Sequence, residues 1–237
     1  GAIVQATGFS IYDLAKLPEL GGGQDNVVDQ AGLEALARAA NGSTIRRADG
    51  KDVASVVFIQ CAGQRDESGT HLPYCSGHCC ATSIKQAMYF KDTNPEVDTV
   101  VLYTDLRVPG MGEDFYRSAQ DKGVIFTKGR VAKVAAADGA CTVHFRDLIL
   151  DEDVAIDTDL VVLATGQVPN SGVDIELPDE DAAKTRQVSI LNLNYRQGKD
   201  MPQLKYGFAD SHFICFPYET RRTGIYAAGP VRRPMDM

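Results

Sequence analysis

The sequence predicts an α/β fold with a parallel sheet at its centre, and three observations carry that expectation. The runs 54–60, 97–105 and 160–166 are apolar without polar alternation, as strands are when both faces of a sheet are covered. Segments with helical spacing of apolar residues separate the strands, so that strand and helix alternate across 54–166 as in a doubly wound unit. Finally, Ala6-Thr7-Gly8 and Ala164-Thr165-Gly166 end two apolar strands in small residues, which let a chain turn sharply beside a backbone or a ligand.

Taken in order, residues 2–8 read as a strand and 9–30 as irregular, with the glycine triplet 21–23 marking a turn. Gln30 to Ala40 has helical period, with Leu33, Leu36 and Ala37 on one face, and Asn41-Gly42 stops it. The polar stretch 43–52 leads to the strand 54–60. A helix over Cys80 to Lys91 buries Ile84, Ala87 and Met88. Pro95 and Pro109-Gly110 bound the strand Val97 to Asp105. Glu113 to Lys122 reads as a helix; Val124 to Thr127, Val131 to Ala135 and Thr142 to Phe145 read as strands. After Gly166 the pattern loosens until Phe213 to Phe216, a loop over 217–223 and a strand from Ile225 to Ala228.

The 237 residues, 44% of them hydrophobic, allow one large domain or two small ones. A net charge of −8 with no basic stripe excludes nucleic acid as an expected partner. No apolar run approaches the roughly 20 residues that span a bilayer, so the protein should be soluble and any membrane link should run through another subunit. No basic segment followed by an apolar one opens the chain, which points to a cytoplasmic location. The chain begins inside a strand pattern and stops eight residues after Gly229, so it reads as a piece of a longer polypeptide.

Four of the six cysteines crowd into one connection: Cys61, then after thirteen residues Cys75, then Cys79 and Cys80. Cys61 follows the strand 54–60, where a dinucleotide-binding unit carries its glycine-rich phosphate loop, and Cys79-Cys80 open the next helix. Four thiolates close a [4Fe–4S] cubane, and in an α/β chain without an export signal such a set points to metal or redox chemistry. Convergence of the four sulfurs on one point is expected. Zinc, with His71 and His78 as further donors, a disulfide and inert thiols stay open as alternatives. Cys141 and Cys215 are isolated and read as buried filler. Arg65 and Asp66, in the same loop, read either as a loop ion pair or as groups tuning a cluster.

The two Ala-Thr-Gly strands, followed by Gly224-Ile-Tyr-Ala-Ala-Gly229, form an ordered set that resembles the thioredoxin- and glutathione-reductase-like flavoproteins. Ile-Gln-Cys61-Ala-Gly-Gln-Arg-Asp with Tyr-Cys75-Ser-Gly-His-Cys79-Cys80 resembles the heterodisulfide reductase A family, and its relatives in the quinone-interacting membrane-bound oxidoreductase complex. The tail from Phe216 to Pro230 is most similar to the B component of that membrane complex.

The resemblance implies a Rossmann-like parallel sheet over 40–166, flanked by an incomplete FAD domain made of 1–39 and 167–237. It implies a [4Fe–4S] cluster on Cys61, Cys75, Cys79 and Cys80, and an FAD in the neighbouring domain near Thr7, Gly8, Thr165, Gly166, Gly229 and Pro230. It implies electron transfer between FAD, cluster and partner subunits of an oxidoreductase complex. Three departures limit it. The N-terminal G-x-G-x-x-G is absent, Cys61-Ala-Gly-Gln-Arg replaces the second fingerprint, and Pro230 stands where such flavoproteins carry an acidic residue. FAD should therefore be held weakly by this chain, and NAD(P) not at all, although Asp105 stands where a ribose-binding carboxylate is expected. Arg221-Arg222 and Arg232-Arg233 read as a solvated basic face or as partners of the FAD pyrophosphate. Two other functions compete: a pyridine-nucleotide-dependent flavoprotein disulfide reductase using Cys79-Cys80, and a zinc-stabilised interaction module.

Overall fold

The computed structural model describes every residue except 138, 172–201, 213 and 236–237. The chain opens with β1 (Ile3–Gln5) and β2 (Phe9–Ile11), then two short 3₁₀ turns, and β3 (Val27–Asp29) runs straight into α1 (Gln30–Ala40). The cysteine loop separates β4 (Ser55–Ile59) from α2 (Cys79–Thr93). Next come β5 (Asp98–Tyr103), α3 (Gly112–Asp121), β6 (Ile125–Ala137), β7 (Ala140–Asp147), β8 (Glu152–Thr158) and β9 (Leu160–Leu163). The described remainder holds β10 (Gln167–Pro169), β11 (Ser211–His212), β12 (Phe216–Thr220) and β13 (Ile225–Ala227).

Two compact units result: residues 13–166, and residues 1–12 with 167–237. The larger unit thus begins ahead of residue 40, the boundary the sequence suggested. β3 and α1 belong to it, because β3 pairs in parallel with β9, Val27 opposite Val161.

The larger sheet has the order β3-β9-β4-β5-β6-β7-β8. Its first five strands are parallel, and β7 and β8 continue from β6 as an antiparallel meander. Residues 125–137, read from sequence as two strands, form one. It pairs with β5 as far as Lys128 and with β7 from Gly129 on, with an irregularity at Val131–Lys133 inside the second pairing.

The three helices pack on one face of the sheet. Leu33 of α1, Ile84, Ala87 and Phe90 of α2, and Ala119 of α3 share one core cluster with Val56, Phe58, Val101, Leu160 and Val162 of the sheet. The connection from β6 back to β9 is made of strands, so the meander packs where a second helical layer would lie, β8 against β4 and β7 against β9. β9 is buried at all four residues, Leu-Val-Val-Leu, between β3 and β4. Each such side chain contributes about 1.5–3 kcal/mol through its removal from water.

Local chemistry sets the helix ends. The Asp29 carboxylate caps α1 by accepting from the Gly32 N–H at 2.6 Å, and Asn41 ends it in the left-handed region at φ 49°. α2, which begins at Cys79, has no side-chain cap at His78. In the smaller unit β1 and β13 are parallel neighbours, and β13, β12 and β11 continue the sheet; β2 and β10 form a separate pair.

Candidate functional site

Cys61 stands just past the carboxyl end of β4 in a strained turn. Cys61 has φ 56°, Gly63 67° and Arg65 53°; left-handed backbone costs a non-glycine residue about 1–3 kcal/mol, and it persists where the surroundings over-determine it. Here the Gln64 N–H donates to Cys61 O at 3.1 Å, the Arg65 N–H to Tyr74 O at 3.2 Å, and the Leu72 N–H to Gly63 O at 3.1 Å. The loop is thereby folded back on itself, which brings Cys75 toward Cys61.

Gln64 ties this turn to the helix and to β9. Its buried Nε2 donates to Ala164 O at 3.0 Å and toward Cys79 Sγ at 3.5 Å, while Oε1 accepts from the Ser76 N–H at 3.0 Å. Gly166, at φ 83°, makes room for it: a Cβ there would lie 2.3 Å from the Gln64 amide. Gln30 does the same from α1, its Nε2 donating to Cys79 O and Ser83 Oγ, both at 2.8 Å. Neither glutamine was singled out from sequence, because a loop or helix-start glutamine carries no pattern; only the register of β4 and β9 shows what Gln64 spans.

Cys75 accepts from the Gly77 amide at 3.4 Å and Cys79 from the Gln64 amide at 3.5 Å, while Arg65 beside Cys61 and the Arg107 amide beside Cys80 favour the thiolate forms. Burial pushes Cys61, Cys79 and Cys80 upward, Cys79 to about 12, and these donors oppose the shift. Cys79 also feels each of the other three sulfurs. The expectation that all four meet at one point is corrected: among the described residues, no three His, Cys, Asp or Glu groups form a set that could hold a metal ion. Adjacent residues leave a helix in different directions, so Cys79 and Cys80 are spread rather than pinched together. All six cysteines are free thiols; Cys141 is buried as expected, but Cys215 is exposed, lying between exposed Ile214 and Phe216.

Arg65 does not pair with Asp66. Its Nη2 lies 2.7 Å from Asp105 Oδ2 and its Nη1 3.4 Å from Thr104 Oγ1, at the end of β5. Arg65 accordingly holds the Asp105 carboxyl below its usual range. Asp66 instead closes the loop, accepting from the Ser68 hydroxyl and the Ser68 and His71 N–H groups, which lower its pKa to about 2. His71 faces Glu19 at 3.5 Å. A cavity of about 820 Å³ opens at the carboxyl ends of β4, β5 and β6, lined by Cys61, Cys75, Arg65 and Gln60 among others. Gln60 is 8% exposed, and both polar atoms of its amide lack a partner.

In the smaller unit Thr7-Gly8 and Gly229-Pro230 follow the carboxyl ends of β1 and β13, whose register sets Gln5 against Ala227. The structure brings these four residues to one end of a parallel pair, with open space where a Cβ of Gly8 or Gly229 would stand. Thr165 and Gly166 belong to the larger unit; Thr165 Oγ1 is buried without a partner. The basic residues nearby are engaged: Arg221 with Asp210 at 3.1 Å, and Arg232 with Pro217 O and, at 4.9 Å, the Tyr218 ring. Among the described residues, no helix is long and apolar enough to cross a membrane.

No family model matches the chain. Among curated proteins it is 39% identical over 246 residues to the iron-sulfur A subunit of CoB–CoM heterodisulfide reductase from Methanocaldococcus jannaschii. It is 38% identical over 245 residues to the A subunit of the H2/formate:CoB–CoM heterodisulfide,ferredoxin reductase from Methanococcus maripaludis, and 33% to the H2-dependent counterpart of Methanothermobacter marburgensis. All three alignments cover the whole chain and 34% of the relative. Among solved structures, thioredoxin reductases of T. acidophilum and Lactococcus lactis each match with a TM-score of 0.51, at 15% and 13% identity. They cover 97% and 100% of this chain, and the chain covers 57% and 59% of theirs. That likeness bears out the expected fold class. The chain spans about a third of the length of the curated relatives it matches, and over that third it belongs to the heterodisulfide reductase A family.

Proposed function

We propose that this chain is the cluster-holding part of a flavin and iron–sulfur oxidoreductase, working in electron transfer as the heterodisulfide reductase relatives imply. Cys61, Cys75, Cys79 and Cys80 would hold a [4Fe–4S] cluster. The observation that carries this is the set of four thiols on one strand-to-helix connection, with Gly77 and Gln64 donating N–H groups to Cys75 and Cys79 and with Arg65 and Arg107 favouring the thiolates of Cys61 and Cys80. Hydrogen bonds to sulfur are among the groups that set cluster potentials, and a cubane offers a separate iron to each thiolate, so its ligands stand apart. A tetrahedral zinc asks instead for donors gathered round one ion, an arrangement absent among the described residues. A cluster bound there supplies one-electron transfer between a flavin and partner subunits.

The chain's own work is placement. Gln64 and Gln30 hold the start of α2 against the loop, the strained turn presents Cys61, and Ile59 and Leu102 line the cavity beside it. Thr7, Gly8, Gly229 and Pro230 make one wall of an FAD site, and Thr165 and Gly166 end the strand β9. Without a glycine-rich phosphate loop this wall holds FAD weakly in the isolated chain. NAD(P) is not bound, because the turn that would carry the pyrophosphate is occupied by Cys61, Gln64 and the start of α2. Partners are other subunits of an electron-transfer complex in the cytoplasm, with any membrane link through one of them and no nucleic acid.

The test is anaerobic reconstitution with iron and sulfide. The expected result is about four irons per chain with a broad visible absorbance. Stoichiometric zinc with no iron uptake, or micromolar binding of NADH or NADPH by calorimetry, would overturn the corresponding part of this reading.

A further inference from the structure

We propose that Arg65 and Asp105 are a built-in charge pair that positions the reduction potential of the cluster site, Arg65 raising it and Asp105 lowering it. The inference rests on the cluster reading above and adds to it the residues that tune the site. The Arg65 guanidinium donates through Nη2 to Asp105 Oδ2 at 2.7 Å, with Nη1 at 3.4 Å from Thr104 Oγ1, and it lines the same cavity as the Cys61 thiol, whose charged form it favours. The planar fork of arginine allows this double engagement, which a lysine ammonium reproduces only as a point charge.

The main chain is arranged to deliver that side chain. Arg65 is held at φ 53°, with its N–H on Tyr74 O, a conformation that local preference alone would not select. Its side chain is 29% exposed and that of Asp105 54%. An ion pair so open to water contributes little to folding, so the strain finds its use elsewhere. The guanidinium lines the same cavity as the Cys61 sulfur, where its charge acts on whatever that sulfur binds. A permanent positive charge there favours the state carrying one more electron, and the carboxylate behind it partly cancels that charge. Arg107 and Lys128 also face Asp105, and Arg107 faces Cys61, while Asp66 and Glu67 line the same cavity.

The experiment is a redox titration of anaerobically prepared, iron-loaded protein, with dithionite as electron donor and the visible or electron paramagnetic resonance signal as readout. At the poise where the unaltered protein is half reduced, Arg65→Gln is expected to lower the reduced-to-oxidised ratio about tenfold, a shift of about 59 mV for one electron. Asp105→Asn is expected to raise the ratio, and Arg65→Lys to recover most of the loss. Equal potentials in the unaltered protein, Arg65→Gln and Asp105→Asn, at equal iron content, would overturn the inference and leave the cluster reading intact. Absence of iron uptake by the unaltered protein would sink the cluster reading, and this inference with it. If Arg65→Gln alone fails to load iron, Asp105→Asn decides: a positive shift sustains the proposal and no shift overturns it.

Discussion

The two ends of the large parallel sheet are built from the same strands and do opposite things. At the amino end, Asp159 Oδ2 accepts from the Ala54 N–H at 2.8 Å and the Ser55 N–H at 3.0 Å, while the Asp159 N–H donates to Ser55 Oγ at 3.0 Å. The Asp98 N–H meets Ala54 O at 2.9 Å. Single unpartnered atoms, Asn26 Nδ2 and Arg47 Nε, occur there too; at the carboxyl end the whole amide of Gln60 and the Thr165 hydroxyl are unpartnered, Cys61 and Arg65 sit in left-handed backbone, and a cavity opens. Buried polar groups are nearly always paired in proteins, so unpaired ones that gather with strain mark where a fold trades stability for a ligand. One end secures the sheet; the other presents chemistry.

The comparison can be broken or sharpened by substitution, and the largest expected effect is at the carboxyl end. Cys79→Ser should reduce iron uptake on anaerobic reconstitution from about four irons per chain toward none, read by iron and sulfide assay, with the fold retained by circular dichroism. Retention of full loading would show that Cys79 is not a ligand.

Gly166→Ala comes next. It places a Cβ 2.3 Å from the Gln64 amide and forces alanine into φ 83°, so it should destabilise the larger unit by about 2–5 kcal/mol in denaturant unfolding. Because Gln64 anchors Ser76 and Cys79, iron uptake should fall with it. A neutral result would mean that the Gln64 contacts do not organise the site.

Asp159→Ala probes the other end. Loss of a charged acceptor for two N–H groups should cost about 1–3 kcal/mol of stability with iron uptake unchanged. Coupled loss of both would show that the two ends are not separable in this way.

The smallest effect is a pH dependence of the loop. Asp66 has a folded pKa of about 2, below its ordinary value of 3.8, because the Ser68 hydroxyl and the Ser68 and His71 amides bond its charged form. A depressed carboxylate stabilises the loop fully above the ordinary value and loses that contribution as pH falls from about 4 toward 2. Hydrogen exchange at the Ser68 and His71 amides, corrected for intrinsic rates, should therefore accelerate across that window. Asp66→Asn should flatten the dependence, and an unchanged profile would contradict the assignment.

Much of this was legible in the residues. The apolar runs placed β4 and β5 within a residue or two and the start of β9, which stops three residues short of the expected Gly166, and the period of Gln30 to Ala40 marked α1 at the bounds it has. β3 was missed because three residues, Val-Val-Asp, running straight into a helix carry no two-residue alternation. β8 was missed because it lies at the sheet edge with Val154 and Ile156 only half-buried among acidic residues, so its alternating inward face is weak in the sequence. The cysteine spacing pointed to the site, whereas the pairing of Arg65 with Asp105 rather than its neighbour Asp66 was invisible, since forty residues separate the partners in the chain.

What the sequence determined by itself was local: which segments are buried, where helices stop, and which side chains bring thiol chemistry to one strand-to-helix connection. Such properties follow from the short-range preferences of each residue. What only the tertiary structure decided was which distant groups meet: Gln64 with Ala164, Gln30 with Cys79, Arg65 with Asp105, and a meander in place of a second helical layer. Those meetings depend on the order in which parallel strands pack, β9 beside β4 and β5 on its other side, and strand order is fixed by the packing of the whole unit rather than by any one segment.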